Sequence, residues 1–222
     1  MSSSAVVPAL RPAVLPLAAS ATVFAADAGL VADGHAAWLD HPALTEAVEH
    51  RDGVLTTVMT AVTNAAEIPL VVLAVLVALV LARRARSWRP VLLVGAAGAL
   101  SVAAATVAKD LALRVRPPMS YWLVHESDYS FPSRHTTMTA ALLPLLAVLI
   151  TDRLAARGAK AGVWVAVVAC TVLVGASRIY LGVHWATDVL GGLALGLTVA
   201  LAVLTADRLL RRRTGQADSG TA

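Results

Sequence analysis

Ser177-Arg178-Ile179-Tyr180-Leu181-Gly182-Val183-His184-Trp185-Ala186-Thr187-Asp188 sets a cation, an imidazole and a carboxylate inside an otherwise apolar region. An ionisable group at membrane depth costs roughly 2.5–3.5 kcal/mol on insertion scales, so several together are expected only where they pair, face a cavity and carry function. His184 and Asp188 are four residues apart. On a helix they would share a face, and the carboxylate would hold an imidazole N–H, fixing tautomer and orientation. That is the layout of an oriented nucleophile or base.

The remainder reads as the membrane scaffold for this stretch. The chain has 222 residues, 58% hydrophobic and 14% charged, whereas a soluble domain is about a quarter charged. An all-α integral membrane protein of one domain is the expectation. Cys170 is the single cysteine, so a disulfide framework and a Cys-based metal site are both excluded, and it reads as a small buried hydrophobe. The net charge of +4 would fit a nucleic-acid partner by number alone. Its distribution argues against one, because the basic residues mark one side of a membrane.

In chain order, the apolar run 13–32 is a first span, with Pro16 near its start and Asp27 late in it. Val23-Phe24-Ala25-Ala26 also resembles a small-residue cleavage site, so a signal peptide is the alternative. Residues 33–52, a run broken by Pro42, form a polar loop with a short surface helix, and its His35, His41 and His50 read as solvated. A second span over 54–82 exceeds the roughly 20 residues that cross about 30 Å, so it tilts, overruns the interface or bends at Pro69. At about 1.5 Å per residue from Arg83, Glu67 falls in the far third of the bilayer, as an interfacial or positioning carboxyl. Further spans are expected over 90–108, 136–150, 161–179 and 185–204. Gly95 and Gly98, and again Gly192 and Gly196, have the small-residue spacing of close helix packing in lipid. Residues 1–207 thus make a six-span domain, and 208–222 a basic tail expected to be disordered.

Positive charge orients the bundle. Arg11, the 83–89 and 152–160 loops and the tail hold twelve of the eighteen Lys and Arg, which assigns them to the cytoplasmic side. Five of the other six lie in or beside three stretches brought to the opposite, extracytoplasmic interface. These are Lys109 to Pro117 at the end of the third span, Pro132-Ser133-Arg134-His135 at the start of the fourth, and the opening stretch. Lys109, Arg116 and Arg178 offer three cations to a multiply charged anion, with Arg in the planar fork that suits phosphate oxygens. Ser133 is placed to cap the fourth helix, whose free N–H groups form a natural phosphate site. His135 and His184 complete a set for phosphoryl transfer. Taken singly, the cations could be interfacial anchors, and Arg178 and Asp188 a structural ion pair. Arg114, Asp110, Tyr121, His125 and Asp128 read as surface or packing residues.

The three stretches resemble the type 2 phosphatidic acid phosphatase superfamily, with its patterns K-x6-R-P, P-S-G-H and S-R-x5-H-x3-D. The resemblance implies a six-span fold, phosphate binding by Lys109, Arg116, Arg178 and Ser133, His184 as nucleophile oriented by Asp188, and His135 as general acid. It implies no metal or other cofactor. One departure is Arg134, which stands where the commonest pattern has Gly, removing a close backbone approach to phosphate while offering a fourth cation. Neighbouring cations favour a neutral His184 and Asp188 the protonated form, so two influences oppose each other.

The expected function is hydrolysis of a lipid phosphate or diphosphate through a phosphohistidine. By resemblance the substrate is of the undecaprenyl diphosphate type first and of the phosphatidate type second. A phosphotransferase is the runner-up within the enzymes. A transporter would show pathway groups across its depth or an internal repeat, and a non-catalytic binder of lipid phosphates could dispense with His184 and Asp188. The charge asymmetry generates a test of sidedness. In a Cys170→Ala background on intact cells, an impermeant thiol reagent should label a Ser127→Cys variant and spare Ala85→Cys. The reverse pattern would invert the topology.

Overall fold

The computed structural model describes residues 7–219, with side chains over 14–212. Its helices are α1 (Val7–Ala32), α2 (Ala37–Glu49), α3 (Gly53–Ala65), α4 (Ile68–Ala85), α5 (Arg89–Ala112), α6 (Arg134–Thr151), α7 (Arg157–Tyr180) and α8 (Ala186–Ser219). All but α2 and α3 are long and apolar enough to cross a membrane, matching the six expected spans. α6 and α8 form the centre. In their membrane-spanning parts 67% and 61% of residues are buried, against 28% or less in the other spans. Leu142, Leu145 and Leu149 of α6 meet Leu70, Ala74 and Ala78 of α4, Leu93 and Ala97 of α5, and Val199 and Val203 of α8 in one core. Leu73, Leu76, Leu92 and Val168 point outward, as lipid-facing side chains do.

The two glycine pairs behave differently. A Cβ on Gly192 would lie 2.8 Å from the Ser133 carbonyl oxygen and 3.0 Å from Thr136 Cβ, and one on Gly196 would overlap the Thr137 carbonyl. This pair lets α8 lie directly against α6, as the spacing predicts. Gly95 and Gly98 were expected to do the same for α5. A Cβ at either would meet nothing within 4 Å, so they line an open cleft between α4, α5 and α6.

Four other expectations are corrected. The apolar run 54–82 is two helices, broken at Ala66–Glu67 ahead of Pro69, which takes an opening position of α4 where its missing N–H leaves no bond unmade. Pro42 sits within α2 and does not break it. Cys170 is exposed on α7 with Val168 and Val172, on a lipid-facing surface. The basic end expected to be disordered from 208 continues α8 to Ser219, while 220–222 lie outside the described residues.

At the end of the bundle that carries the motifs, the connections are tied to one another. Arg51 donates to the Tyr180 carbonyl at 2.6 Å and to the Tyr121 carbonyl at 2.9 Å. Gly182 turns the chain there at φ +75°, and any Cβ would overlap the Tyr121 carbonyl. Phe24 of α1 stacks on Phe131, beside Gly191 of α8, with ring centroids 5.8 Å apart. The turn that leads from α7 to His184 is thus tied through Arg51 and Gly182 to the connection between α5 and α6.

Candidate active site

His184 lies in the turn between α7 and α8, and Asp188 in the first turn of α8. The pair therefore does not share a helical face, as the spacing alone had indicated. They meet because Asp188 folds back over the start of its own helix. Its Oδ2 accepts from the Trp185 N–H at 2.8 Å and from the Ser130 hydroxyl, and lies 3.2 Å from His184 Nδ1. Both residues are buried, at 1% and 0% exposure. A carboxylate on Nδ1 fixes the tautomer with its proton there and leaves the lone pair on Nε2. Arg116 Nη1 donates to that atom at 3.1 Å. Burial, followed by the charges of Arg116, Arg178 and Lys109, holds His184 well below the ordinary histidine range, so the ring is neutral. Burial and the cations thus outweigh Asp188, and the Nε2 lone pair accepts from Arg116.

The three expected cations converge. Arg116 is anchored on the carbonyls of Asp128 and Val183 at 2.8 and 2.6 Å. Arg178 donates to the Thr63 hydroxyl of α3 at 2.6 Å, and Lys109 to the Tyr129 carbonyl. Arg178 and Asp188 do not form a pair with each other. Arg178 is bound by Glu126, whereas Asp188 is bound by Arg114 at 2.5 Å. Arg134 sits at the rim, 49% exposed in its side chain and bound to Asp128.

Ser133 precedes α6 as expected, but its side chain makes no cap bond. Its hydroxyl instead accepts from Thr136 Oγ1 at 3.0 Å, and its N–H donates to the Asp188 carbonyl at 2.9 Å, joining the second motif to the third. His135, in the first turn of α6, lines a cavity of about 350 Å³ with His184, Arg116 and Arg134. Glu67 Oε1 lies 2.8 Å from His135 Nε2, at ion-pair distance. It is off the ring N–H direction, and Nε2 makes no directed hydrogen bond.

The site also contains Glu126, which the sequence reading passed over, and Asp128, which it read as a surface or packing residue. Glu126 and Asp128 line the cavity and occupy its cations: Glu126 on Arg178 and Arg116, Asp128 on Arg116 at 2.5 Å, Lys109 at 3.5 Å and Arg134. Burial pushes the Asp128 carboxyl up, but Lys109, Arg116 and Arg134 outweigh it and hold it below its usual range. Arg114, read as a surface or packing residue, is a partly buried partner of Asp188. One signal was available. Glu126 and Asp128 are the only carboxylates between Arg116 and Arg134, and cations at membrane depth require counter-ions.

The geometry defines a class: a multi-pass membrane protein in which cations and two histidines, one oriented by a carboxylate, gather at one cavity. The family model for the PAP2 superfamily matches residues 71–212, and the chain belongs to that superfamily. Over 107 residues it is 42% identical to phosphatidylglycerophosphatase B of Bacillus subtilis, an alignment covering 48% of this chain and 52% of that protein. Over 135 residues it is 37% identical to decaprenylphosphoryl-5-phosphoribose phosphatase of Mycobacterium tuberculosis, covering 60% and 68%. The chain thus spans about half to two thirds of these relatives. The crystal structure of a transmembrane PAP2-type phosphatidylglycerolphosphate phosphatase from Bacillus subtilis superposes with a TM-score of 0.79 at 31% identity, covering 86% of this chain and 96% of that one.

Glu126 and Asp128 occupy the cations, so removing one carboxylate charge should favour an external anion. Glu126→Gln is expected to tighten binding of inorganic phosphate by at least about threefold, since a charge-assisted bond is worth roughly 1.5–3 kcal/mol. The reading is the phosphate concentration that raises the Tm of the detergent-solubilised protein. An unchanged or higher concentration would mean that Glu126 does not compete for the site.

Proposed function

We propose that this protein is a phosphatase that hydrolyses a phosphate or diphosphate carried on a membrane lipid, by way of a phosphohistidine at His184. The observation that carries the reading is His184 Nε2, left unprotonated by the Asp188 contact on Nδ1 and held by Arg116 Nη1 at the edge of a cavity that Arg116 and Arg134 also line, where a phosphoryl oxygen would take over the Arg116 N–H. His184 Nε2 attacks phosphorus in line while Lys109, Arg116 and Arg178 stabilise charge on the equatorial oxygens. Asp188 retains the Nδ1 proton and the ring's orientation. As the P–O bond breaks, His135 gives its proton to the departing oxygen of the alcohol or lipid monophosphate. Water then attacks phosphorus, neutral His135 takes its proton, the P–N bond breaks and phosphate leaves.

A lipid substrate is supported by what borders the cavity. Val71 and Met138 form a wall common to the cation site and to the apolar cleft of about 550 Å³ beside Gly95 and Gly98. A headgroup phosphate at His184 would place its chain against that cleft, between α4, α5 and α6. The two relatives are named for a glycerolipid and for a polyprenyl-linked phosphate, which supports either chain type here. The charge asymmetry supports a site facing the extracytoplasmic side. Arg134, held by Asp128 at the rim, is assigned a contact with the incoming phosphate once Asp128 yields it.

The two histidines are separated by a substrate whose leaving group needs no proton. With an activated aryl phosphate, His135→Ala should still phosphorylate His184 and then stall, releasing a burst of about one equivalent of aryl alcohol and leaving an acid-labile phosphate on the protein. His184→Ala should give neither. A burst from His184→Ala and none from His135→Ala would reverse the roles, and no burst from either would overturn covalent catalysis.

A further inference from the structure

Asp188 is fully buried, and its counter-ion comes from none of the residues that the family patterns mark. Arg114 Nη1 donates to Asp188 Oδ1 at 2.5 Å and to the Thr187 hydroxyl at 2.7 Å. Arg114 Nη2 is bound in turn by Asp40, a carboxylate on α2 with 2% exposure. Asp40 Oδ1 also accepts from the Thr187 N–H and from its hydroxyl, each at 2.9 Å. The Thr187 N–H is one of the first donors of α8, so a carboxylate from another helix satisfies the end of the helix on which Asp188 sits. Asp40 lies outside residues 71–212, and so belongs to none of the matched region.

We infer that Asp40 and Arg114 are positioning residues for the His184–Asp188 pair, an Asp40–Arg114–Asp188 relay with both carboxylates buried that sets where the imidazole stands. The inference rests on His184 being the nucleophile. The physical argument is division of labour between the two oxygens of Asp188. Oδ1 is held by Arg114, which leaves Oδ2 to the Trp185 N–H, the Ser130 hydroxyl and His184 Nδ1. Without Arg114 the carboxylate is buried with no counter-ion, and it can rotate toward the remaining donors or draw in water. Without the Asp40 charge, Arg114 faces one carboxylate instead of two, and its fork can turn. Neither residue touches the cavity that holds Arg116 and the two histidines. Their loss should therefore slow attack at phosphorus and leave phosphate binding alone.

The test uses the full-length protein in detergent and the aryl phosphate burst in the His135→Ala background, where the rate reports phosphorylation of His184 and the amplitude reports competent sites. Adding Arg114→Gln should slow the burst about tenfold to a hundredfold, the range over which partners of an oriented histidine act, with the half-saturating aryl phosphate concentration unchanged. Arg114→Lys should recover part of the rate. Asp40→Asn keeps an acceptor for the Thr187 N–H and should slow the burst less than Arg114→Gln. In Asp40→Asn/Arg114→Gln the rate should match that of Arg114→Gln, because Asp40 acts through Arg114.

A reduced amplitude at an unchanged rate would make both residues structural only and overturn the inference, as would an unchanged rate in Asp40→Asn and Arg114→Lys. If Arg114→Gln fails to accumulate, those two milder variants decide. Absence of a burst in His135→Ala itself would instead remove the phosphohistidine reading.

Discussion

Neutralising cations at membrane depth is the constraint on which the rest of this structure depends. Lys109, Arg116 and Arg178 are each buried, and all three sit where spans end. A buried charge without a partner costs several kcal/mol even after relaxation. The fold meets that demand from three directions. The connection between α5 and α6 contributes Glu126, Asp128 and the carbonyls of Asp128 and Tyr129, α3 contributes Thr63, and the turn before α8 contributes the Val183 carbonyl. Burial first, and then the same cations, hold His184 below the ordinary histidine range. Glu126 and Asp128 neutralise Arg116 and Arg178, the same cations whose charge acts on the imidazole.

Packing supplies the precision that those charges need. α6 and α8 approach closely because Gly192 and Gly196 carry no side chains between them, and the Ser133 N–H to Asp188 carbonyl bond closes the gap at their ends. His135 and His184 are thereby carried by the two most buried helices or their entry turns. The other wall is looser. α4 begins after a break at Ala66–Glu67, and its contact with α5 leaves the cleft beside Gly95 and Gly98 open. A rigid reacting centre thus faces an open apolar wall, the arrangement that a lipid entering from the side would require.

Much of this was legible in the sequence. Apolar runs separated by basic loops predicted the six spans, and the family patterns singled out the cations and histidines that line or border one cavity. What escaped had physical reasons. Glu126 and Asp128 stand in a loop without periodicity, and their significance appears only once the cations are seen to lack other counter-ions. Asp40 and Asp188 are 148 positions apart in the chain and meet through Arg114, a contact no local pattern encodes. Glycine spacing does not distinguish a packed face from an open one, so Gly95 and Gly98 were read like Gly192 and Gly196. Ser133 occupies the capping position, but Thr136 competes for its hydroxyl.

The central claim is that His184 Nε2 forms a bond to phosphorus inside the cation cluster. An experimental structure with orthovanadate bound tests it most directly, because vanadate adopts the trigonal bipyramid of in-line transfer. The expected result is vanadium at covalent distance from His184 Nε2, its equatorial oxygens on Lys109, Arg116 and Arg178, an axial oxygen toward His135, and Glu126 moved off Arg178. Vanadate bound through another residue, or lodged at the rim on Arg134 with Glu126 still on Arg178, would contradict it.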